Sequence, residues 1–349
     1  MKTKKILKIV GIIMAALLLL LLIAGLAAFF YMDGMLDKMN YDTAYTTVTP
    51  EVATSIDQEE WVSIPTDDTT PTVDIGDISF PDDLPDVEGQ GSHIVNIMIV
   101  GQDARPGEPP QRSDSMILMT FNKASGEITL TSFLRDQYVQ IPGYGKTKLC
   151  HAYSYGGMPL LNQTLYNHYG IEVDGNVTLS FEGFAEIIDF LGGVDIELTQ
   201  EEATALNQLE SKQNWGLQAG MQRLTGKQAL RYSRLRHIDS DFQRTERQRK
   251  VIMSVISAYK NCTLSEMTYI LEKTMPLITT NIPKENIYRY AFSLFPMVAS
   301  AKINSQRLPV NGTFQSGLIR VSEGYMASCQ YNIDFAANRK YLEKIFGED

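Results

Sequence analysis

Three stretches of the 349-residue chain hold the residue types that grip phosphate and a divalent cation. The first is VGQDARPGEPPQRSDSM, residues 100–116, with Asp103, Arg105, Arg112 and Asp114. It sits between two apolar runs and reads as a loop at strand ends. Two carboxylates on one loop suit a hard cation such as Mg²⁺, which takes oxygen ligands and keeps several waters. By itself the stretch reads first as an ordinary solvated loop, since Asp and Gly are normal turn residues. The second is RYSRLRHIDSDFQRTERQRK, residues 231–250, with seven basic residues, six of them Arg, against three acids. Arg presents a planar fork that matches phosphate with two bonds, whereas Lys is a point charge. Arg234 and Arg236 alternate, so an extended backbone turns them to one side. Arg244, Arg247 and Gln248 follow at i, i+3 and i+4, on one face of the opening turns of a helix whose N-terminal end also favours an anion. A solvated basic helix face is the plain alternative, but it leaves the choice of Arg over Lys unexplained. The third is SFLRDQYVQIPGYGKTK (132–148), where Arg135 and Asp136 directly follow an apolar run. Arg135 there can join a phosphate clamp or form an ordinary edge ion pair.

Other reactive types are sparse. His93, His151, His168 and His237 are the only histidines, and none has metal-ligand spacing. His237 alone lies inside the Arg-rich stretch. Cys150, Cys262 and Cys329 form no C-x-x-C motif, which argues against a zinc or redox site. Cys262 and Cys329 can pair or remain thiols.

The elements that position these residues follow from hydrophobic periodicity. IVNIMIV (94–100), SMILMTF (115–121) and EITLTSF (127–133) read as strands, the last two joined by the turn NKASG; YVQI (138–141) is a fourth. Helices are expected at 157–168 and 181–191, a strand in GGVDIEL (192–198), and helices at 199–210, at 225–234 with Thr225 as cap, and at 243–260. In the last of these Val251, Ile252, Val255, Ile256 and Tyr259 share a face. Strands followed by interleaved helices and strands predict an α/β fold with a mixed sheet covered by helices. Residues 264–349 continue with weaker patterns and no clear linker, so 93–349 reads as one domain.

The net charge of -10 argues against an anionic ligand only until it is partitioned. Residues 1–32 carry four Lys and no acid, residues 33–92 carry fifteen Asp/Glu and one Lys, and 93–349 is therefore neutral. Residues 9–32 contain no charged side chain, and at ~1.5 Å per residue they can cross a ~30 Å hydrocarbon core. Lys2, Lys4, Lys5 and Lys8 precede this run and Asp33 follows it, so 1–8 is expected in the cytoplasm and the body outside. A cleaved secretory signal is the alternative, but the run is longer than the ~7–15 apolar residues of one. Residues 33–92, rich in Asp, Thr and Pro, read as an acidic extracytoplasmic spacer. A lesser reading docks Trp61 and VDIGDISF (73–80) onto the body.

Taken in order, NIMIVGQDAR, RSDSMILMTF, SFLRDQYVQIPGYGKTKL, HAYSYGGMPLL, FEGFAEIIDFLGGVDIEL, GMQRLTGKQALRYSRLR and SDFQRTERQRKV resemble the LytR-CpsA-Psr family of membrane-anchored cell-wall enzymes. The resemblance covers about 93–260 and loosens over 261–349. It implies a central mixed sheet flanked by helices, with an apolar tunnel for a polyprenyl chain between them. It also implies an Mg²⁺- or Mn²⁺-dependent phosphotransferase. Such an enzyme moves a phosphoglycosyl polymer (wall teichoic acid, capsule or similar) from a polyprenyl-pyrophosphate carrier to peptidoglycan. The matching motifs then give Asp103 and Asp114 to the metal. They give Arg135, Arg234, Arg236, Arg244 and Gln248 to the pyrophosphate, with Arg112 and Arg105 nearby, and make Asp114, Arg135 and Arg244 catalytic. Two positions depart from the family: Leu134 stands where Pro is usual before the Arg-Asp pair, and Cys150 where Asn is frequent. A binder or regulator that holds the same lipid, and a pyrophosphatase acting on it, are the competing functions. Nucleic acid is not an expected partner, because the basic stretch has few interleaved aromatics and lies on the exported side.

Overall fold

The computed structural model describes residues 29–41, 62–63, 73–74, 78, 80, 84–102, 113–208, 214–235, 238–322 and 325–347. A helical stretch, 29–36, leads into three two-residue strands, β1 (Asn40–Tyr41), β2 (Val62–Ser63) and β3 (Val73–Asp74). The long strands β4 (Ile94–Gln102), β5 (Ser113–Asn122) and β6 (Glu127–Phe133) follow, then the hairpin β7 (Tyr138–Ile141) and β8 (Gly145–Lys148). Next come α1 (Leu149–Tyr169), β9 (Gly175–Ser180), α2 (Phe181–Phe190), β10 (Val194–Leu198), α3 (Gln200–Gln208), β11 (Gly220–Leu224) and α4 (Gly226–Ser233). The chain closes with α5 (Asp241–Lys260), α6 (Leu264–Thr274), β12 (Ile278–Thr280), α7 (Lys284–Ser300), β13 (Lys302–Leu308), β14 (Gln315–Ser322), β15 (Tyr325–Tyr331) and α8 (Phe335–Phe346).

The main sheet runs β1-β12-β9-β4-β5-β6-β13 and is mixed. β4 pairs antiparallel with β5 and parallel with β9, and β6 pairs antiparallel with β5 and parallel with β13. The turn expected between β5 and β6 forms on the side chain of Asn122, whose Oδ1 accepts from Ala124 N and Ser125 N at 3.0 Å each. β4 is largely apolar because both its faces are covered. Ile94, Met98 and Val100 pack with Leu161, Tyr169, Phe335 and Phe346 of α1 and α8. Val95 and Ile97 pack on the other face with Leu294 and Ala301 at α7. A further core, with Ile188, Val194, Leu206, Leu224, Ala229 and Val251, binds α2 through α5 together.

Two departures from the sequence expectations have clear causes. The helix expected at 157–168 begins earlier, at Leu149, and is broken inside by Gly157, whose φ of 59° lies in the left-handed region that glycine alone adopts cheaply. The expected spacer over 33–92 is docked wherever it is described. β1 extends the main sheet beside β12, while β2 and β3 flank the β15–β14 hairpin in a second sheet. Ile78, 1% exposed, fills a core with Ile319 and Cys329, and Val87 joins the α1–α8 core. A few apolar residues among the acids, together with open sheet edges, suffice for docking that bulk composition hides. The predicted membrane span lies mostly on 1–28, outside the described residues; no described helix is long and apolar enough to cross a membrane. None of Cys150, Cys262 and Cys329 is in a disulfide, so the Cys262–Cys329 pairing does not form.

Leu134 explains its own departure from the family pattern. Its N–H donates to Leu308 O at 3.1 Å, carrying the β6–β13 ladder one residue further. A proline there has no N–H to give.

Helices α2 and α4 meet backbone to backbone at Gly226, where an added Cβ collides with Ala185 O. Gly226 N also donates to Asp189 Oδ1 at 2.7 Å. Gly226→Ala is therefore expected to lower unfolding free energy by about 1–3 kcal/mol in chemical denaturation, the usual cost of overpacking. An unchanged midpoint would show that the two helices separate freely.

Candidate active site

β4, β6 and β9 run in the same direction, so their C-terminal ends, with the start of β5, share one edge of the sheet. That edge opens onto a cavity of ≈ 780 Å³ between the sheet and helices α2, α4 and α5. Its walls are apolar: Ile99, Met119 and Leu179 from the sheet, Phe184 and Ile187 from α2, Leu230 from α4, and Ile252, Val255 and Ile256 from α5. Asp114, Arg135, Arg231, Arg234, Arg244 and Gln248 supply its polar lining. The described lining thus has four arginines to one carboxylate, a strongly positive balance inside a neutral body. Along α5, Arg244, Gln248, Ile252, Val255 and Ile256 fall at i, i+4, i+8, i+11 and i+12, one helix face that is charged at its N-terminal end and apolar beyond. From 244 to 256 that face is about 18 Å long at ~1.5 Å per residue.

Each arginine is placed differently. Arg135 Nη1 donates to Asp114 Oδ1 at 2.6 Å, and its Nε lies 3.6 Å from Asp136 Oδ2. Asp136 is itself paired with Lys148 at 3.1 Å, so two carboxylates hold the guanidinium and Lys148 steadies one of them. The backbone is pinned as well: Cys150 N donates to Arg135 O at 3.1 Å, and Gln330 N donates to Asp136 O at 3.0 Å. This gives Cys150 a positioning part through its main chain, and it ties the C-terminal hairpin β14–β15 to the site. Arg234 caps the end of α4 with its guanidinium 4.3 Å from the Phe181 ring centre, a cation–π stack. Arg244 sits in the first turns of α5, only 2% exposed, 2.6 Å from Asp241. Ser240 caps the same helix by accepting from Phe242 N, and the positive end of the helix dipole adds to the anion-favouring field.

Asp114, Arg135, Arg234, Arg244 and Gln248 of the expected site thus line one cavity. Asp103, Arg105, Arg112, Arg236 and His237 lie outside the described residues. Arg247 does not share the cavity with Arg244 and Gln248. It turns away and is buried, donating from Nη1 and Nη2 to Asp239 at 2.6 and 2.7 Å and from Nη2 to Leu235 O at 2.7 Å. Burial draws its pKa down, but the hydrogen bond and charge of Asp239, helped by Glu202, more than offset this and hold it above the ordinary value. Arg249 is also buried and donates from Nε to Ser305 Oγ at 2.7 Å; burial, with Arg307 adding and Glu246 opposing, presses its pKa down to about 10. Both belong to the scaffold. Two lining residues escape the sequence reading, Arg231 and Phe181. Arg231 lies three residues before Arg234, a helical spacing that was there to be read.

A divalent cation can be tested against this donor set. No cluster of three or more His, Cys, Asp or Glu side chains occurs among the described residues. A protein-caged metal does not fit that arrangement. Mg²⁺ that keeps its waters and shares phosphate oxygens with one or two carboxylates does fit. Asp114 is the described residue that would hold it.

The geometry makes Arg247 a structural tie between α5 and the segment leading out of α4. Arg247→Ala is expected to lose about 3–5 kcal/mol in denaturant unfolding, because it strands Asp239 and opens a buried pair. Arg247→Lys restores less than half of the loss, since an ammonium cannot reproduce the two-bonded fork. Full recovery with Lys would show that charge alone matters at this position.

The LytR_cpsA_psr family model matches residues 47–334. The chain is 32% identical over 216 residues to the polyisoprenyl-teichoic acid–peptidoglycan teichoic acid transferase TagT of Bacillus subtilis (strain 168). That alignment takes in 61% of this chain and 66% of the relative, just under two thirds of its length. Among solved structures, TagT bound to LIIa-WTA superposes with a TM-score of 0.58 at 26% identity, covering 79% of this chain and 97% of that one. The LytR-CPS2A-psr family protein YwtF (TagT) with bound octaprenyl pyrophosphate lipid shares the fold, with a TM-score of 0.54 at 24% identity over 79% of this chain and 97% of that one.

Proposed function

The chain belongs to the LytR_cpsA_psr family, and from that premise we propose that it transfers a phosphoglycosyl polymer from a polyprenyl-pyrophosphate carrier to peptidoglycan. The observation that carries the reading is the two-part cavity: arginines gathered at one end and an apolar wall along the rest, on one face of α5. A polyprenyl pyrophosphate has the same two parts in the same order. The name of the Bacillus subtilis relative and the octaprenyl pyrophosphate held by a protein of the same fold support it. The uncharged run at 9–32 supports a reaction at the outer face of a bacterial membrane, on a body anchored by a single span.

In this reading Arg135, Arg234 and Arg244 bind the pyrophosphate oxygens, with Arg231 and Gln248 beside them; Arg112 and Arg236 complete the set. The apolar wall takes the first prenyl units and excludes water. An acceptor sugar hydroxyl attacks the polymer-side phosphorus in line. A new P–O bond forms, the bond to the bridging oxygen breaks, and polyprenyl phosphate leaves with the electron pair. Catalysis of such a transfer is chiefly positioning and charge stabilisation, which fixed guanidiniums supply without reorganising. Asp114 accepts the hydroxyl proton in this scheme, and its ion pair with Arg135 fixes both side chains. Mg²⁺, when bound, would neutralise phosphate charge, with Asp114 and Asp103 as its protein ligands.

With purified full-length protein, lipid-linked polymer and peptidoglycan, Arg244→Ala is expected to slow attachment by about 10²–10³-fold, the scale of a lost transition-state donor. Lys250→Ala, an exposed change on the same helix, is expected to leave it unaltered. An Arg234→Ala/Arg244→Ala protein that transfers at the parent rate would refute the proposal. Free polymer released without peptidoglycan would instead mark a pyrophosphatase, and tight lipid binding without turnover a binder.

A further inference from the structure

The start of the described chain, 29–41, is fastened to the outer side of the body rather than leading away from it. Lys284 at the head of α7 pairs with Asp33 at 3.3 Å and with Asp37, and Tyr288 Oη donates to Asp33 at 3.1 Å. Phe29 stacks on Tyr288 with ring centres 5.3 Å apart. Met35 and Leu36 are buried, and β1 is paired with β12. The order of these contacts shows that 29–36 runs antiparallel to α7, so Phe29 comes level with Tyr288, one turn into that helix.

What α7 presents there is unusual for a water-facing helix. Residues 290–301 carry no charged side chain; Leu294 and Ala301 face the core, and Ala291, Phe292 and Ser293 face outward. Phe292, one helical turn beyond Tyr288 on the same side, is 84% exposed. Phe29, stacked on Tyr288, and its neighbours Phe30 and Tyr31 are 50%, 67% and 49% exposed. These aromatics lie where the uncharged run 9–32 enters the body. Aromatic residues at the end of an apolar span are those that settle at the lipid headgroup level.

We propose that the middle of α7, with Phe292 at its centre, and the docked stretch 29–36 form one bilayer-contacting surface, which seats the body on the membrane in a fixed orientation. The proposal rests on reading 9–32 as a membrane span and goes beyond it: a span followed by a free spacer would let the body tumble. The occupant is lipid, because the exposed aromatic surface is continuous with the segment assigned to the bilayer. The seat also serves the cavity. Lys38 of the docked stretch pairs with Glu272 of α6 at 2.9 Å, and α6 packs on α2, a wall of the cavity. The docked stretch is thereby tied to a wall of the cavity.

The test uses the full chain in vesicles of phosphatidylglycerol and phosphatidylethanolamine with brominated acyl chains. Bromine quenches tryptophan only at membrane depth. The signal of Phe292→Trp, taken as the difference from the parent, is expected to be quenched about twofold or more by brominated lipid, as an interfacial aromatic should be. Tyr166→Trp, an exposed aromatic site on α1 across the sheet, is expected to be unquenched. Membrane-bound protein with position 292 quenched no more than position 166 would overturn the seat while leaving the span intact. Protein recovered free of the vesicles would overturn the span and the seat together.

Discussion

One buried guanidinium sets the geometry on which the cavity depends. Arg247 grips Asp239 with two bonds and the Leu235 carbonyl with a third, from inside α5. It thereby fixes the segment that leaves α4 against the helix that follows it. Arg234 lies at the near end of that segment and Arg244 at the start of the helix, so the same tie fixes both. Burying such a pair adds little net stability compared with an apolar replacement, but removing one partner is costly. Its value lies in holding neighbouring arginines close together against their mutual repulsion.

The sheet sets the other half. Parallel β4, β6 and β9 bring their C-terminal ends to one edge, and the β6–β13 ladder continues through Leu134 to hold Arg135 at that edge. Lys148, Asp136 and Asp114 then orient its side chain. The C-terminal 264–349 region, without evident purpose when read as sequence, takes part here. β13 receives the Leu134 N–H, and Gln330 of β15 donates to Asp136 O. The family core and its continuation are thus one mechanical unit around the site, and the pieces of 33–92 that complete their sheets extend it.

Much of this was legible beforehand because local chemistry decided it. The strands at 94–100 and 115–121 are largely apolar, that at 127–133 alternates apolar with polar residues, and a turn lies between the last two. Thr225 caps its helix as the sequence requires, with Gln228 closing a capping box. Arg244 and Gln248 share a face because i and i+4 always do. Arg247 shares that helical sector but not the cavity: spacing gives a sector and not which side of it faces a cavity, and the nearby Asp239 claims this side chain. The docking of 33–92 was hidden because a few apolar side chains are outvoted by fifteen acids in any average.

By itself the sequence determined which residues carry charge, where periodicity makes helix or strand, and that Arg rather than Lys was chosen around 231–250. These are properties of short segments, and the chain's covalent order enforces them. Only the tertiary structure decided which arginines share a space. Arg135 lies 99 residues before Arg234 in the chain, and no local pattern links them. Strand direction, the close helix contact at Gly226 and the buried Arg247–Asp239 pair bring them to one cavity. Each of these depends on packing between segments distant in sequence, where burial and hydrogen-bond satisfaction, rather than spacing, select the partner.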